Sequence, residues 1–219
     1  MKGKLIVIEG LDGCGKNTQV KLLVEFLKSK NKKVKYLSFP DYNEPSSSLI
    51  KMYLNREFGE SPNEVNAYAA SSFYAVDRYA SYKKFWEKNY KSGEIIICDR
   101  YTTSNTFYQM SKLPKSEWEN YLTWLYDYEY NKLGLPKPDN VIFLNVPVEV
   151  SQNLMNKRYS GDDSKKDLHE ANVEFLKNCK EAAKYVAQKD SWTEISCTEE
   201  NKMRKIEDIH NEIVKNIKI

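Results

Sequence analysis

The sequence predicts an α/β domain of three layers, a five-stranded parallel sheet with helices on both faces. Three observations carry this expectation. Short apolar runs at Leu5 to Glu9, Val34 to Leu37, Ile95 to Cys98, Val141 to Asn145 and Trp192 to Ser196 have the hydrophobicity of buried parallel strands. Helical patterns lie between them, the βαβ rhythm of a doubly wound sheet. The first run leads into a glycine-rich turn, Gly10 to Gly15, followed by a helix with Val20, Leu23, Val24 and Leu27 on one face.

Residues from about 46 to 89 read as two or three helices, and the longest, Tyr68 to Trp86, is rich in aromatics. Gly93 breaks the chain before the third strand. Ser104 to Met110 and Glu117 to Leu133 read as helix. Gly134-Leu135-Pro136-Lys137-Pro138-Asp139 is a rigid turn into the fourth strand. Glu149 to Asn156 opens another helix, and Tyr159 to Lys166 is a polar, charged, flexible loop flanked by the cations Lys157, Arg158, Lys165 and Lys166. Leu168 to Ala187 and Met203 to Ile217 are expected to be helical. One domain spanning residues 1–219 is expected, with a mobile lid at about 157–167.

Composition excludes several classes. With 34 basic and 31 acidic residues the net charge is +3, so no general polyanion-binding surface is implied and no nucleic-acid partner is expected. No stretch approaches the roughly 18 apolar residues of a membrane span. Met1-Lys2-Gly3-Lys4 runs straight into the first strand, so no signal peptide is expected. The four cysteines have neither CxxC spacing nor disulfide density, which points to a reducing cytoplasm. His169 and His210 lie far apart without metal-ligand neighbours and are expected at the surface.

The turn after the first strand has the spacing of a phosphate-binding loop: a Gly, four residues, then Gly-Lys. Gly10, Gly13 and Gly15 let the backbone wrap a phosphate, and N–H groups through Cys14 to Thr18 face it at a helix start. Lys16 is the cation for the β- and γ-phosphates of a nucleoside triphosphate. Asn17 stands where this motif has a hydroxyl for Mg²⁺, and the hydroxyl comes one residue later, at Thr18. An amide oxygen is a legitimate but neutral Mg²⁺ ligand.

In an open parallel sheet, ligands bind beyond the carboxyl ends of the strands. That rule gathers Asp12 and Lys16 from the first loop, and Phe39, Pro40 and Asp41 from the second. The third strand adds Asp99-Arg100-Tyr101, and the segment after the fourth adds Lys157 and Arg158. Asp99 faces the phosphate loop and can hold Mg²⁺ directly or through water, while Arg100 offers a planar fork to a phosphate. Tyr74 and Arg78, four apart on a helix, suit a flat base carrying a phosphate. Asn105 can donate to and accept from a base edge; Ser104 and Tyr108 share its turn, with Ser104 also a candidate cap.

Taken in order, Ile8-Glu9-Gly10-Leu11-Asp12, Phe39-Pro40, Tyr74 and Arg78, Asp99-Arg100-Tyr101 with Ser104, Asn105 and Tyr108, and Gly134 to Asp139 resemble thymidylate kinase, a family of P-loop NTPase-type fold. The resemblance implies transfer of the ATP γ-phosphoryl group to dTMP, with Mg²⁺ as cofactor. It implies that Tyr74 stacks on thymine, and that Arg78 and Asn105 contact the base edge or phosphate. Tyr108 would stand near the sugar and exclude a 2′-OH, Asp12 would meet the 3′-OH, and Arg100 would bridge the two phosphates. Gly13 replaces a basic residue that one subgroup carries in the loop; the other subgroup places that cation in the lid, consistent with Lys157 and Arg158. Homodimers packed through helices are implied too. The sequence departs from the family pattern at Asn17, at Tyr74, where Phe is usual, and in the acidic middle of the lid, Asp162-Asp163. The rival readings are a kinase for another nucleoside monophosphate or deoxynucleoside, and a nucleotide-binding protein with weak or no transferase activity because of Asn17.

Overall fold

The computed structural model describes residues 2–217 and 219. Among them, β1 (Leu5–Glu9), β2 (Val34–Ser38), β3 (Ile95–Asp99), β4 (Asn140–Asn145) and β5 (Thr193–Ser196) form one parallel sheet in the order β2-β3-β1-β4-β5. β1 and β3 are buried along their whole length, as a strand covered on both faces requires.

On one face lie α1 (Lys16–Ser29) and α9 (Ile206–Asn216), packed on the side of the sheet carrying Ile6, Ile8, Ile97 and Ile142. On the other, α5 (Thr102–Tyr108), α6 (Trp118–Tyr126) and α8 (Val173–Lys189) bury Phe107, Tyr121 and Phe175 with Phe143. The remaining elements are α2 (Ser48–Leu54), α3 (Ala67–Ser81), α4 (Glu87–Lys91) and α7 (Val148–Arg158). Every predicted strand is present, and the three-layer architecture follows from the alternation read in the sequence.

The differences are local. The aromatic helix is α-helical only to Ser81 and continues as a π-helical turn over Tyr82–Trp86. Likewise α6 passes into a π-helical turn over Asp127–Lys132. The helix expected from Leu168 starts at Val173. Asp167 captures the N–H groups of His169 and Glu170 (both 2.9 Å), and Asn172 caps Phe175 N (2.9 Å), so side chains hold the turn that helical hydrogen bonds would otherwise take. At the carboxyl end, β6 (Thr198–Glu199) and β7 (Lys202–Met203) pair antiparallel before α9 begins at Ile206.

Loss of the Asn172 cap by Asn172→Ala should lower stability by about 1 kcal/mol, the usual worth of an N-cap side chain. Urea unfolding reads this directly, and Asn172→Asp should recover most of it.

Candidate active site

The loop after β1 is shaped by where it packs. Gly13 and Gly15 sit at φ 76 and 86, which side chains adopt with strain. A Cβ on Gly13 would come 2.7 Å from the Ser151 carbonyl oxygen of α7. A basic side chain at this position is thus excluded by backbone contact, and cations must reach the cleft from elsewhere. Lys16 is 7% exposed, and its Nζ donates to Gly10 O and Leu11 O (both 2.9 Å). Cys14 turns its side chain into the core beneath α1.

Arg100 follows β3 in a left-handed conformation, φ 67, which costs a non-glycine residue about 1–3 kcal/mol. The turn is held from several sides. Arg100 N donates to Ile8 O (3.2 Å). The fully buried Glu9 accepts from Tyr101 N (3.2 Å), Thr103 Oγ1 (2.6 Å) and Ser104 Oγ (2.9 Å). Burial pushes the Glu9 carboxyl up, against the pull of Arg100 and these hydroxyls.

The Arg100 guanidinium is ion-paired with Asp12 and donates to Tyr108 Oη (3.2 Å), while Tyr108 donates to Asp12 Oδ2 (2.6 Å). Burial raises the Asp12 carboxyl, but Arg100, Lys16 and the Tyr108 hydrogen bond outweigh it and hold Asp12 well below the usual carboxylate range.

Two clefts meet at this triad. One is the more enclosed cavity, lined by Phe39, Pro40, Tyr74, Arg78, Ser104 and Asn105 together with Asp12, Arg100 and Tyr108. The other is more open and runs along the phosphate loop past Lys16, Asn17, Thr18 and Asp99 to Arg158 and Lys165. Asp12, Phe39, Pro40 and Arg100 line both. Tyr74 faces the enclosed cavity, whereas Phe73 packs on Phe58 with ring centroids 5.8 Å apart.

Of the two lid cations expected from α7, Arg158 lines the open cleft and pairs with Glu170 (2.9 Å). Lys157 is exposed and lines neither cleft; Lys165, from the loop itself, lines the open one. Arg78 is 2% exposed and forms a bidentate pair with Glu129, at 2.7 Å from Nε and 2.5 Å from Nη2. Asn105 Nδ2 donates to the same carboxylate (3.2 Å) and to Ser71 O (3.2 Å).

His169 corrects the sequence reading. It is 5% exposed, stacks on Tyr108 with ring centroids 5.4 Å apart, and its Nε2 lies 2.8 Å from Tyr53 Oη. Only His210 approaches the expected surface position, and it packs edge-on against Phe26. Burial, with Lys112 nearby, pushes the His169 imidazole down to about 3, and burial pushes the adjacent Lys112 ammonium down to about 7. Asp167 also lines both clefts; burial and the Asp12 charge raise it to about 7. Tyr42 and Gln109 complete the cavity wall. A lone His after a charged loop carries no local signal of this placement.

Among the described residues no cluster of three or more His, Cys, Asp or Glu side chains could hold a metal ion. Asp99, Asn17 and Thr18 line the same cleft, and a carboxylate with neutral amide and hydroxyl oxygens is donor chemistry compatible with Mg²⁺. That ion keeps several waters and takes one carboxylate plus phosphate oxygens.

The buried imidazole makes stability pH-dependent with a defined sign. Between about pH 6.5 and 3 the unfolded chain takes a proton at His169 that the folded chain refuses, so this group's contribution is lost as pH falls, by up to about 1.4 kcal/mol per unit. Asp167 acts oppositely between about pH 4 and 7, because its folded carboxyl is raised. His169→Gln should therefore flatten the acid limb relative to the unsubstituted protein, read as urea midpoints at pH 4.5 and 6.5. Equal slopes would mean that His169 titrates freely in the folded protein.

The family model described as thymidylate kinase matches residues 8–213. The chain is 36% identical over 216 residues to thymidylate kinase of Plasmodium falciparum, covering 99% of this chain and 90% of that protein. It is 30% identical to a probable thymidylate kinase of Pyrococcus horikoshii, over 100% of this chain and 97% of the relative. The solved structure of thymidylate kinase from Candida albicans superimposes with a TM-score of 0.73 at 25% identity, covering 98% of this chain and 90% of the other. The chain belongs to the thymidylate kinase family, and is a phosphotransferase.

Proposed function

We infer that this protein transfers the γ-phosphoryl group of ATP to the 5′-phosphate of dTMP, giving dTDP. One observation carries the reading: an open, phosphate-loop cleft and an enclosed cavity meet at a single arginine, Arg100, held by Asp12. Transfer between two phosphates needs little covalent work from the protein; it needs both held in line and their charge offset. Lys16 and the N–H groups from Gly13 to Thr18 are suited to the β- and γ-phosphates. Arg100 lies where donor and acceptor phosphates come together, and Arg158 and Lys165 bring further positive charge from the lid side. Mg²⁺, when bound, supplies charge neutralisation of the phosphates; Asp99, Asn17 and Thr18 are the side chains to hold it or its waters.

In the enclosed cavity Tyr74 offers its ring to a flat base, Arg78 and Asn105 its polar edge, and Tyr108 with Asp12 the sugar. As the smaller of the two clefts, walled by the rings of Phe39, Tyr42, Tyr74 and Tyr108, it favours a pyrimidine. A third cleft, between Leu154 and the Met203–Arg204 segment beside Cys14 and Gly15, suits the adenine of ATP. The segment 157–167, tied down by short-range pairs such as Lys166–Asp163 (2.8 Å), acts as the lid. The exposed side of α3, where Val76 is 50% and Tyr79 41% exposed and spaced three apart, is the face on which two copies would pack as a homodimer. Four buried free thiols suit a reducing, cytoplasmic setting.

The kinase reading is favoured over a weak nucleotide binder because Asn17 shares its cleft with four cations, Lys16, Arg100, Arg158 and Lys165. Lys16→Ala and Arg100→Ala should each reduce turnover by at least about 100-fold, the scale of one lost transition-state charge contact. Product formation with ATP and each of dTMP, dUMP, dCMP, dGMP and thymidine should be greatest with dTMP. Near-normal turnover in both variants, or transfer to thymidine in preference to dTMP, would overturn the assignment.

A further inference from the structure

Glu129 lies 51 residues from Arg78, in the π-helical turn that ends the α6 segment, and is fully buried. Its carboxylate receives four hydrogen bonds: Arg78 Nε and Thr102 Oγ1 at Oε2, both 2.7 Å, and Arg78 Nη2 (2.5 Å) and Asn105 Nδ2 (3.2 Å) at Oε1. A carboxylate accepts only, so it dictates which atoms of its neighbours turn towards it.

The consequence for Asn105 is specific. Both of its amide hydrogens are engaged, one by Glu129 and one by Ser71 O (3.2 Å), and neither partner can donate to it. The orientation of this amide is therefore set by its neighbours, and Oδ1 is the atom left for the cavity. Arg78 spends Nε–H and one Nη2–H on Glu129 and one Nη1–H on Tyr101 O (3.4 Å). The two hydrogens left, one on each Nη, are all it can present, and a guanidinium has no acceptor. The pair thus offers a donor from Arg78 and an acceptor from Asn105.

We propose that Glu129 is a positioning residue that sets this donor–acceptor order, and through it selects a base edge with a keto oxygen beside a ring N–H over one with an amino group beside a bare ring nitrogen. Thymine and uracil present the first edge. Cytosine presents the second, and would set donor against donor and acceptor against acceptor, the kind of mismatch that leaves buried polar groups unpaired and discriminates strongly. The inference rests on assigning the enclosed cavity to the acceptor nucleotide.

Glu129→Gln tests it, because it preserves shape while replacing one acceptor by a donor. At the Oε1 position the new amide opposes Arg78 Nη2 and Asn105 Nδ2, and at Oε2 it opposes Arg78 Nε, so in either orientation the donor–acceptor order loses an anchor. The expected result is a fall of at least tenfold in the ratio of kcat/KM for dTMP over dCMP, carried mainly by the KM for the acceptor, with the KM for ATP unchanged. A purely structural role would lower both acceptors in proportion, and an unchanged ratio overturns the proposal. If the variant does not fold, Thr102→Val serves: it removes one hydrogen bond to Glu129 and keeps its charge, and should lower the ratio at least threefold, with an unchanged ratio again decisive against. An unsubstituted protein that takes dCMP as readily as dTMP would sink the cavity assignment and this proposal together. Selectivity that survives both substitutions would sink this proposal alone.

Discussion

The ion pair between Arg100 and Asp12 is the constraint on which the site depends. It joins the end of β3 to the loop after β1, two neighbours in the parallel sheet, and Tyr108 of α5 closes the triangle with hydrogen bonds to both. The backbone at Arg100 is strained, and that strain is offset by a hydrogen bond to Ile8 and by Glu9 gathering the donors of the following turn. A guanidinium here is thus not a mobile surface charge. It is fixed where two clefts open onto each other, which is what phosphoryl transfer between two bound nucleotides needs.

Around that point, buried charge is organised in layers that touch one another. Glu9 supports the Arg100 turn, Glu129 orients Arg78 and Asn105, and both carboxylates are fully enclosed. Breaking such a pair on one side leaves an uncompensated buried charge, costing about 3–5 kcal/mol. These groups therefore tie the shape of the enclosed cavity to the stability of the fold. Asp167, raised to about 7 and lining both clefts, and His169, stacked on Tyr108, close the wall contributed by the segment before α8.

Much of this was legible in the sequence. The five strands announce themselves because a strand buried on both faces must be apolar throughout, and the phosphate loop because its glycines and lysine sit at fixed spacing. Asp12, Asp99 and Arg100 stand out as candidates because the end of a parallel strand is where ligands bind, and Ser104, Asn105 and Tyr108 because they share the helix turn just past it. The rest depended on long-range packing. Glu129 pairs across 51 residues from a helical stretch whose pattern gives no sign of a buried acid. His169 is buried by Tyr53, Tyr108 and Phe175, which come from three other elements. Lys157 and Lys165 look equivalent in a charged loop, and only the geometry separates the one that reaches the cleft.

The central claim is that Arg100 acts at the junction of the clefts because Asp12 holds it there. A double-mutant cycle of Asp12→Asn and Arg100→Gln, read as kcat/KM for dTMP with saturating ATP, addresses it most directly. The account predicts strong coupling, about 1.5 kcal/mol or more, with the double variant little worse than Arg100→Gln alone. Additive losses would contradict it, since the two side chains would then act independently.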